Sequence, residues 1–337
     1  MKYLAAALAL LLSACASPLL QPPQPIVQQP RIVEQAGLHY VIASDGYRLP
    51  LHVWPAEGAD GRPAAPRAVI VALHGFNDYA HTYSDPAPWW AKNGITTYAY
   101  DQRSFGATDS RGIWPGSDAL ISDMFAMIEL ARERHPGVPL FLHGNSMGGA
   151  VVLAGLGRVD APGALPGIQG AILTAPAVWG RPTMNPVYRL ALWGAVRVMP
   201  ARKFTGASLA VRPSDNIPML IRLGRDPLVI KGTRVDAIHG LTDLMDEGLA
   251  AAPRLRVPLL VLYGARDEII PKVPTQAMVD TLGAPYRVAV YPNGYHLLLR
   301  DLQGPVVWND ELAWIMDQTA PLPSGAERTG KRLFSED

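Results

Sequence analysis

Six residues, Gly144-Asn145-Ser146-Met147-Gly148-Gly149, constrain the fold of this chain more than any other stretch. They lie between the apolar run Val138–His143, which reads as a buried strand, and Ala150–Leu156, a run of helix formers. Ser146 therefore stands on a tight strand–turn–helix corner, the setting of a nucleophile elbow. Such a corner strains the serine backbone. Gly144 and Gly148 keep side chains out of the crowded turn, and Gly149 lets the following helix pack close. The pattern Gly-x-Ser-x-Gly alone recurs by chance in roughly one chain of this size in ten, so its setting carries the meaning.

Around this corner the sequence keeps an α/β rhythm. Leu38–Ile42 and Leu49–Trp54 flank Ser44-Asp45-Gly46 as a hairpin. Ala68–Leu73, Ile95–Tyr100, Leu140–His143, Ala171–Thr174, Leu259–Tyr263 and Arg287–Tyr291 are further strands, mostly in the continuous apolar style of a parallel sheet covered on both faces. Asp118–Arg134 places Leu120, Ile121, Met124, Met127, Ile128 and Ala131 at helical spacing and stops at Pro136-Gly137. Gly148–Leu156, Thr275–Leu282 and Val306–Gln318 are the other helices of the body. The prediction is an α/β fold with a mostly parallel, eight-stranded sheet. Between Thr174 and Leu259 lie roughly eighty residues without a clear strand, too many for a bare loop in a compact domain. Trp179, Met184, Tyr188, Leu192, Trp193, Val196, Val198 and Met199 recur there at loosely helical spacing, which predicts a helical insertion packed on the body, with some residues facing a pocket.

A serine hydroxyl needs a base, and the base needs an orienting acid. In a strand–turn–helix architecture these follow in the order serine, acid, histidine. Asp267 lies in the loop just past Leu259–Tyr263, and His296 in the loop past Arg287–Tyr291. Both loops open on the carboxyl edge of the sheet, where ligands bind in open α/β folds. Glu268 competes for the acid role, and register after the strand favours Asp267. His74, His81 and His143 lack that register. For the oxyanion of an acyl-transfer intermediate, the donors expected are the Met147 N–H at the start of the elbow helix and the Phe76 N–H in His74-Gly75-Phe76-Asn77.

These pieces together resemble the α/β-hydrolase superfamily, and within it the monoglyceride lipase and lysophospholipase branch, also called serine aminopeptidase-like. The resemblance is carried by Leu73-His74-Gly75-Phe76, Tyr100-Asp101-Gln102-Arg103 with Phe105-Gly106, the elbow, Asp226-Pro227-Leu228, Tyr263-Gly264-Ala265-Arg266-Asp267 and Gly294-Tyr295-His296, over roughly residues 38 to 320. It implies Ser146 as nucleophile, Asp267 as acid, His296 as base, no metal or organic cofactor, and a lid over an acyl pocket. Asn145 stands where members often carry histidine, and Ser104 where glycine is common. Asp101 and Arg103 read as braces of the loop behind the elbow rather than catalytic groups.

The N-terminus predicts a location. Lys2 and the short apolar run Tyr3–Ala14 form a signal peptide too short to span a bilayer as a helix. Leu12-Ser13-Ala14-Cys15 resembles a bacterial lipobox, which implies lipidation of Cys15, the only cysteine. Ala16 after it, rather than aspartate, implies the outer membrane of the cell envelope. The expected organisation is a signal peptide over 1–14, a lipid-anchored Pro/Gln-rich tether over 15–35, a core over 36–176 and 253–322, a lid over 177–252 and a flexible tail over 323–337. Thirty basic against 29 acidic residues leave no field to hold a polyanion, so nucleic acid is not an expected partner. The expected partners are a small acyl ester or lipid and the membrane, with the chain as a monomer. The expected activity is cleavage of carboxylic esters such as monoacylglycerols or lysophospholipids. A short-chain carboxylesterase or an acyltransferase would use the same triad, and a non-catalytic lipid- or partner-binding lipoprotein would need none of it.

Overall fold

The computed structural model describes residues 17–159, 167–206, 211–328 and 333–334; residues 1–14, expected to form a signal peptide, and Cys15 lie outside them. In chain order the body comprises β1 (Arg31–Gln35), β2 (Leu38–Ile42), β3 (Arg48–Trp54), β4 (Ala68–Leu73), α1 (Pro86–Lys92), β5 (Ile95–Tyr100), α2 (Ser117–Arg134), β6 (Leu140–Asn145), α3 (Met147–Leu156) and β7 (Ile168–Thr174). The insertion holds α4 (Pro186–Val198), β8 (Lys203–Thr205), α5 (Ile217–Arg225), β9 (Gly232–Arg234) and α6 (Val235–Ala251). The body resumes with β10 (Leu259–Gly264), α7 (Lys272–Thr281), β11 (Tyr286–Tyr291), α8 (Gly304–Met316) and β12 (Glu327–Arg328).

The main sheet runs β1-β2-β3-β5-β4-β6-β7-β10-β11-β12. The six strands from β5 to β11 are parallel, and the pairs β1–β2, β2–β3, β3–β5 and β11–β12 are antiparallel. Alternation along β4 shows why the sheet is covered on both faces. Val69, Val71 and Leu73 join a core with Met124, Val151 and Leu244 from α2, α3 and α6. Ala68, Ile70 and Ala72 pack on the other face with Trp90 of α1 and Trp314 of α8. A strand flanked by two apolar layers has no polar face, hence the unbroken apolar runs.

Among the described residues the sheet has ten strands, two more than the eight expected, and both additions are edge strands. Residues 31–35, assigned to the tether, pair with β2 as β1. Upstream, the Gln21 N–H donates to Trp114 O at 3.0 Å and the Val27 N–H to Ser44 O at 2.8 Å, so 17–30 lies along the body rather than free. At the other end, the tail expected to be flexible supplies β12, fixed by Arg287 to Glu327 at 2.5 and 2.6 Å, and buries Leu333. Main-chain pairing at an edge needs no apolar signature, which is why composition pointed the other way.

In the insertion the helical spacing around Tyr188–Val198 does form α4, but the expected packing does not follow. Val196 is its only buried residue, while Val187, Tyr188, Leu190, Trp193 and Val198 are exposed. Trp179 packs partly buried against the core, its ring edge-on to Tyr188. The insertion, hereafter the cap, is seated mainly through α6, which lies along α3.

Candidate active site

Ser146 sits at the junction of β6 and α3 with φ 49° and ψ −114°, a left-handed conformation costing a non-glycine residue about 1–3 kcal/mol. The surroundings hold it there. Its N–H donates to Thr174 O at 3.0 Å, and its carbonyl accepts from Ala177 N at 2.9 Å. A methyl group on Gly148 would lie 2.0 Å from Leu73 O, and one on Gly144 2.6 Å from the Gly149 backbone. Only glycine permits this approach.

Asp267 follows β10 by three residues and His296 follows β11 by five, and the two strands pair in parallel register, Gly264 beside Tyr291. That register brings the loops together, and Arg266 N–H donates to Gly294 O at 2.9 Å. His296 Nδ1 lies 2.8 Å from Asp267 Oδ2, and His296 Nε2 lies 3.0 Å from Ser146 Oγ. Asp267 Oδ1 accepts from the Ile269 and Ile270 N–H groups at 2.8 and 3.0 Å, which fixes the carboxylate plane. Glu268 points elsewhere: it is exposed and accepts from the Arg212 N–H at 2.6 Å. Residue exposures of 9% for Ser146, 8% for Asp267 and 4% for His296 keep the array shielded from bulk water.

The loop after β4 lies against Ser146, since a methyl group on Gly75 would stand 3.2 Å from its Cβ. The Gly148 N–H donates to His74 O at 3.1 Å and joins this loop to α3. Among the described residues the N–H groups of Phe76 and Met147 have no protein acceptor, so both are free to donate beside Ser146. His74 is a scaffold. Its Nε2 accepts from the Gln102 N–H at 2.9 Å, leaving Nδ1 to donate to Gly75 O at 2.8 Å, and burial lowers its pKa.

Asp101 and Arg103 brace this region without touching the array. Asp101 accepts from the Ala80 and Ala107 N–H groups at 3.0 and 2.8 Å. Arg103 is buried and pairs with both Asp45 and Asp123. Ser104 adopts φ 76°, in the region where glycine is favoured, and its hydroxyl donates to Ile113 O. His143 is spoken for beneath the elbow, with Nε2 3.0 Å from Glu311 Oε1 and both side chains fully buried.

Two ties escaped sequence reasoning. Arg300, four residues past His296, forms an ion pair at 2.8 Å with Asp78, two residues past Phe76, joining the two loops. The cap segment 212–216 is stitched to the same edge. Leu297 N–H donates to Pro213 O, Ser214 Oγ to Asp301 Oδ1, and Asn216 Nδ2 to Arg300 O, at 2.9, 2.6 and 2.9 Å. These polar residues carry no periodicity; the only available signal was their position opposite the histidine loop.

Comparison with known proteins places the chain in a family. The model of the serine aminopeptidase S33 family matches residues 64–303. The chain is a member of that α/β-hydrolase family. A monoacylglycerol lipase of Mycolicibacterium smegmatis is 26% identical, covering 82% of this chain and 96% of the relative. Human monoglyceride lipase is 22% identical over 86% of this chain and 94% of its own length. A soluble variant of the Saccharomyces cerevisiae monoglyceride lipase, solved with a substrate analogue, superposes with a TM-score of 0.70 at 20% identity, covering 89% of this chain and all of that one. At that identity the superposition speaks to fold.

Proposed function

We propose that this chain is a serine ester hydrolase that cleaves lipid esters, monoacylglycerols or lysophospholipids, through an acyl-enzyme. The observation that carries the proposal is the unbroken chain of contacts Asp267–His296–Ser146, at 2.8 and 3.0 Å. Ser146 Oγ attacks the acyl carbonyl carbon as its proton passes to His296 Nε2. Asp267 orients the ring through Nδ1–H and stabilises the imidazolium. The N–H groups of Phe76 and Met147 meet the developing oxyanion. His296 then protonates the departing alcohol, the C–O ester bond breaks, and water repeats the sequence to release the fatty acid and restore Ser146.

The S33 family is described by aminopeptidase activity, which would require recognition of a substrate ammonium by carboxylates. The carboxylates of α6 are already paired, Asp236 with Arg234, Asp243 and Asp246 with Arg181 and Glu247 with Arg158. Between residues 181 and 234 the cap adds only Asp215 and Asp226, so few carboxylates are left to receive an ammonium. The relatives named as monoacylglycerol lipases support the ester reading. Comparing a monoacylglycerol with an aminoacyl anilide tests it: turnover of the ester alone is expected, and turnover of the anilide alone would refute it.

The same proposal includes attachment of the chain, as a monomer, to the bacterial outer membrane through lipid on Cys15. Cys15→Ser should release the protein from washed membranes; undiminished retention would refute the anchor.

A further inference from the structure

Two adjacent carboxyl groups of α8, Asp310 and Glu311, are fully buried, and their surroundings differ. Asp310 collects donors: the Tyr291 hydroxyl at 2.7 Å, the Ser324 N–H at 2.9 Å and the Ser324 hydroxyl. Glu311 does not. Its Oε1 faces His143 Nε2 at 3.0 Å and the Thr174 hydroxyl at 3.3 Å, while Oε2 has no hydrogen-bond partner among the described residues. His143 is its only ion-pair partner there. The reaction set out above uses neither residue.

The hydrogen positions follow from the donors. Tyr83, at the end of the turn Ala80–Tyr83, has one hydroxyl proton, and it goes to Leu73 O at 2.8 Å, the nearer of two carbonyls. The Tyr83 oxygen, 3.1 Å from His143 Nδ1, is left to accept, so Nδ1 carries a hydrogen. His143 is then either an imidazolium facing a carboxylate or a neutral ring whose Nε2 lone pair accepts from Glu311. The second arrangement suits the pocket. A fully buried carboxylate with one bare oxygen loses its hydration without compensation, whereas a neutral carboxyl leaves only a carbonyl oxygen unpaired. Burial raises the pKa of Glu311, with Asp310 adding to the rise and His143 and Thr174 opposing it.

Both ends of this chain of contacts reach the supports of the reacting groups. Leu73 ends β4, directly before His74-Gly75-Phe76, and its carbonyl is the atom against which Gly148 packs. Thr174, whose hydroxyl lies 3.3 Å from both His143 Nε2 and Glu311 Oε1, accepts the Ser146 N–H on its carbonyl. One buried cluster therefore touches the carbonyl that leads into the oxyanion loop and the residue that holds the strained serine.

We propose that Glu311 is a positioning residue for the ester cleavage: as a neutral carboxyl it donates to His143 Nε2, and through His143 and Tyr83 it fixes Leu73 O and with it the Phe76 N–H. The role in turnover rests on the ester-hydrolase reading; the proton arrangement does not. Support of this kind acts on the geometry that meets the oxyanion, so its loss lowers kcat and leaves KM in place.

Kinetics on a soluble short-chain ester test the role. Tyr83→Phe, which deletes one hydroxyl, and Glu311→Met, which fills the space without a donor, should each lower kcat about tenfold with KM changed by less than about twofold. Glu311→Gln should recover most of the loss, because its amide N–H can donate to His143 Nε2 as the carboxyl does. Native kcat in both Tyr83→Phe and Glu311→Met, or a loss in Glu311→Gln equal to that in Glu311→Met, would overturn the proposal. Nitrogen-15 NMR of the histidine rings at pH 7 reads the proton arrangement without turnover. The His143 ring, assigned by its displacement in Tyr83→Phe, should show a protonated Nδ1 and a bare Nε2, and an imidazolium signature would overturn the neutral donor. If native chain cleaves no ester, the ester reading falls and takes the positioning role with it. If native turnover is present but indifferent to the substitutions, the ester reading stands and the role alone falls.

Discussion

Ser214 Oγ donates to Asp301 Oδ1 at 2.6 Å, and the other oxygen of that carboxylate accepts the N–H of Tyr295, the residue before His296, at 2.7 Å. One buried side chain thus couples the cap to the loop carrying His296. Neither helical periodicity nor strand register marks such a residue.

Burial raises the pKa of Asp301 from 3.8 to about 6, with Asp215 adding to the shift and the two hydrogen bonds opposing it. A raised folded-state pKa means that the associated stability is fully present below about pH 4 and is lost as pH rises through about 6. Between pH 4.5 and 7.5 the native chain should therefore lose thermal stability relative to Asp301→Asn, whatever the absolute cost of the substitution. Melting curves of both at the two pH values check this; parallel profiles would contradict it.

Asp267 and Glu268 separate cleanly by contact. Asp267→Asn should lower turnover by about 10⁴-fold by favouring the wrong imidazole tautomer. Glu268→Gln, which alters only the tie to the Arg212 N–H, should stay within a few-fold of the native rate. Steady-state kinetics on a soluble ester decide; the reverse ranking would move the acid to Glu268.

Gly148→Ala would drive a methyl group to 2.0 Å from Leu73 O and push apart the hydrogen bond between Gly148 N–H and His74 O. Overpacking of this kind costs about 1–3 kcal/mol or more. A denaturant midpoint should fall accordingly, with turnover reduced as the elbow shifts; an unchanged midpoint would show that the turn has room.

Arg103 is flanked by Asp45 and Asp123 in a site from which water is largely excluded, so Arg103→Ala leaves two carboxylates without their counter-charge. Loss of one partner from a buried ion pair costs about 3–5 kcal/mol. Denaturant titration should register that loss, while KM for a soluble ester stays near native. A variant with native stability and abolished turnover would instead make Arg103 part of the chemistry.

Most of the array was legible because its members occupy positions set by the sheet. Ser146 follows β6, Asp267 follows β10 and His296 follows β11, and each strand announces itself as an apolar run. The parallel centre of the sheet was readable for the same reason. What escaped was built from groups without a pattern. Edge strands β1 and β12 pair through the main chain, and residues 19–21 dock through the Gln21 side chain and backbone amides. In α4 the helical spacing was visible, but spacing alone does not say whether an apolar face meets protein or solvent. Trp193 and Tyr188, read as packing residues, are exposed.

The most direct measurement is fatty-acid release from an acyl-ester series running from acetate to oleoyl glycerol and lysophosphatidylcholine, with native chain and Ser146→Ala side by side. Release that depends on Ser146 and peaks on long-chain glycerol or lysophospholipid esters is expected. Equal release from the two proteins, or none from either across the series, would contradict the ester-hydrolase reading.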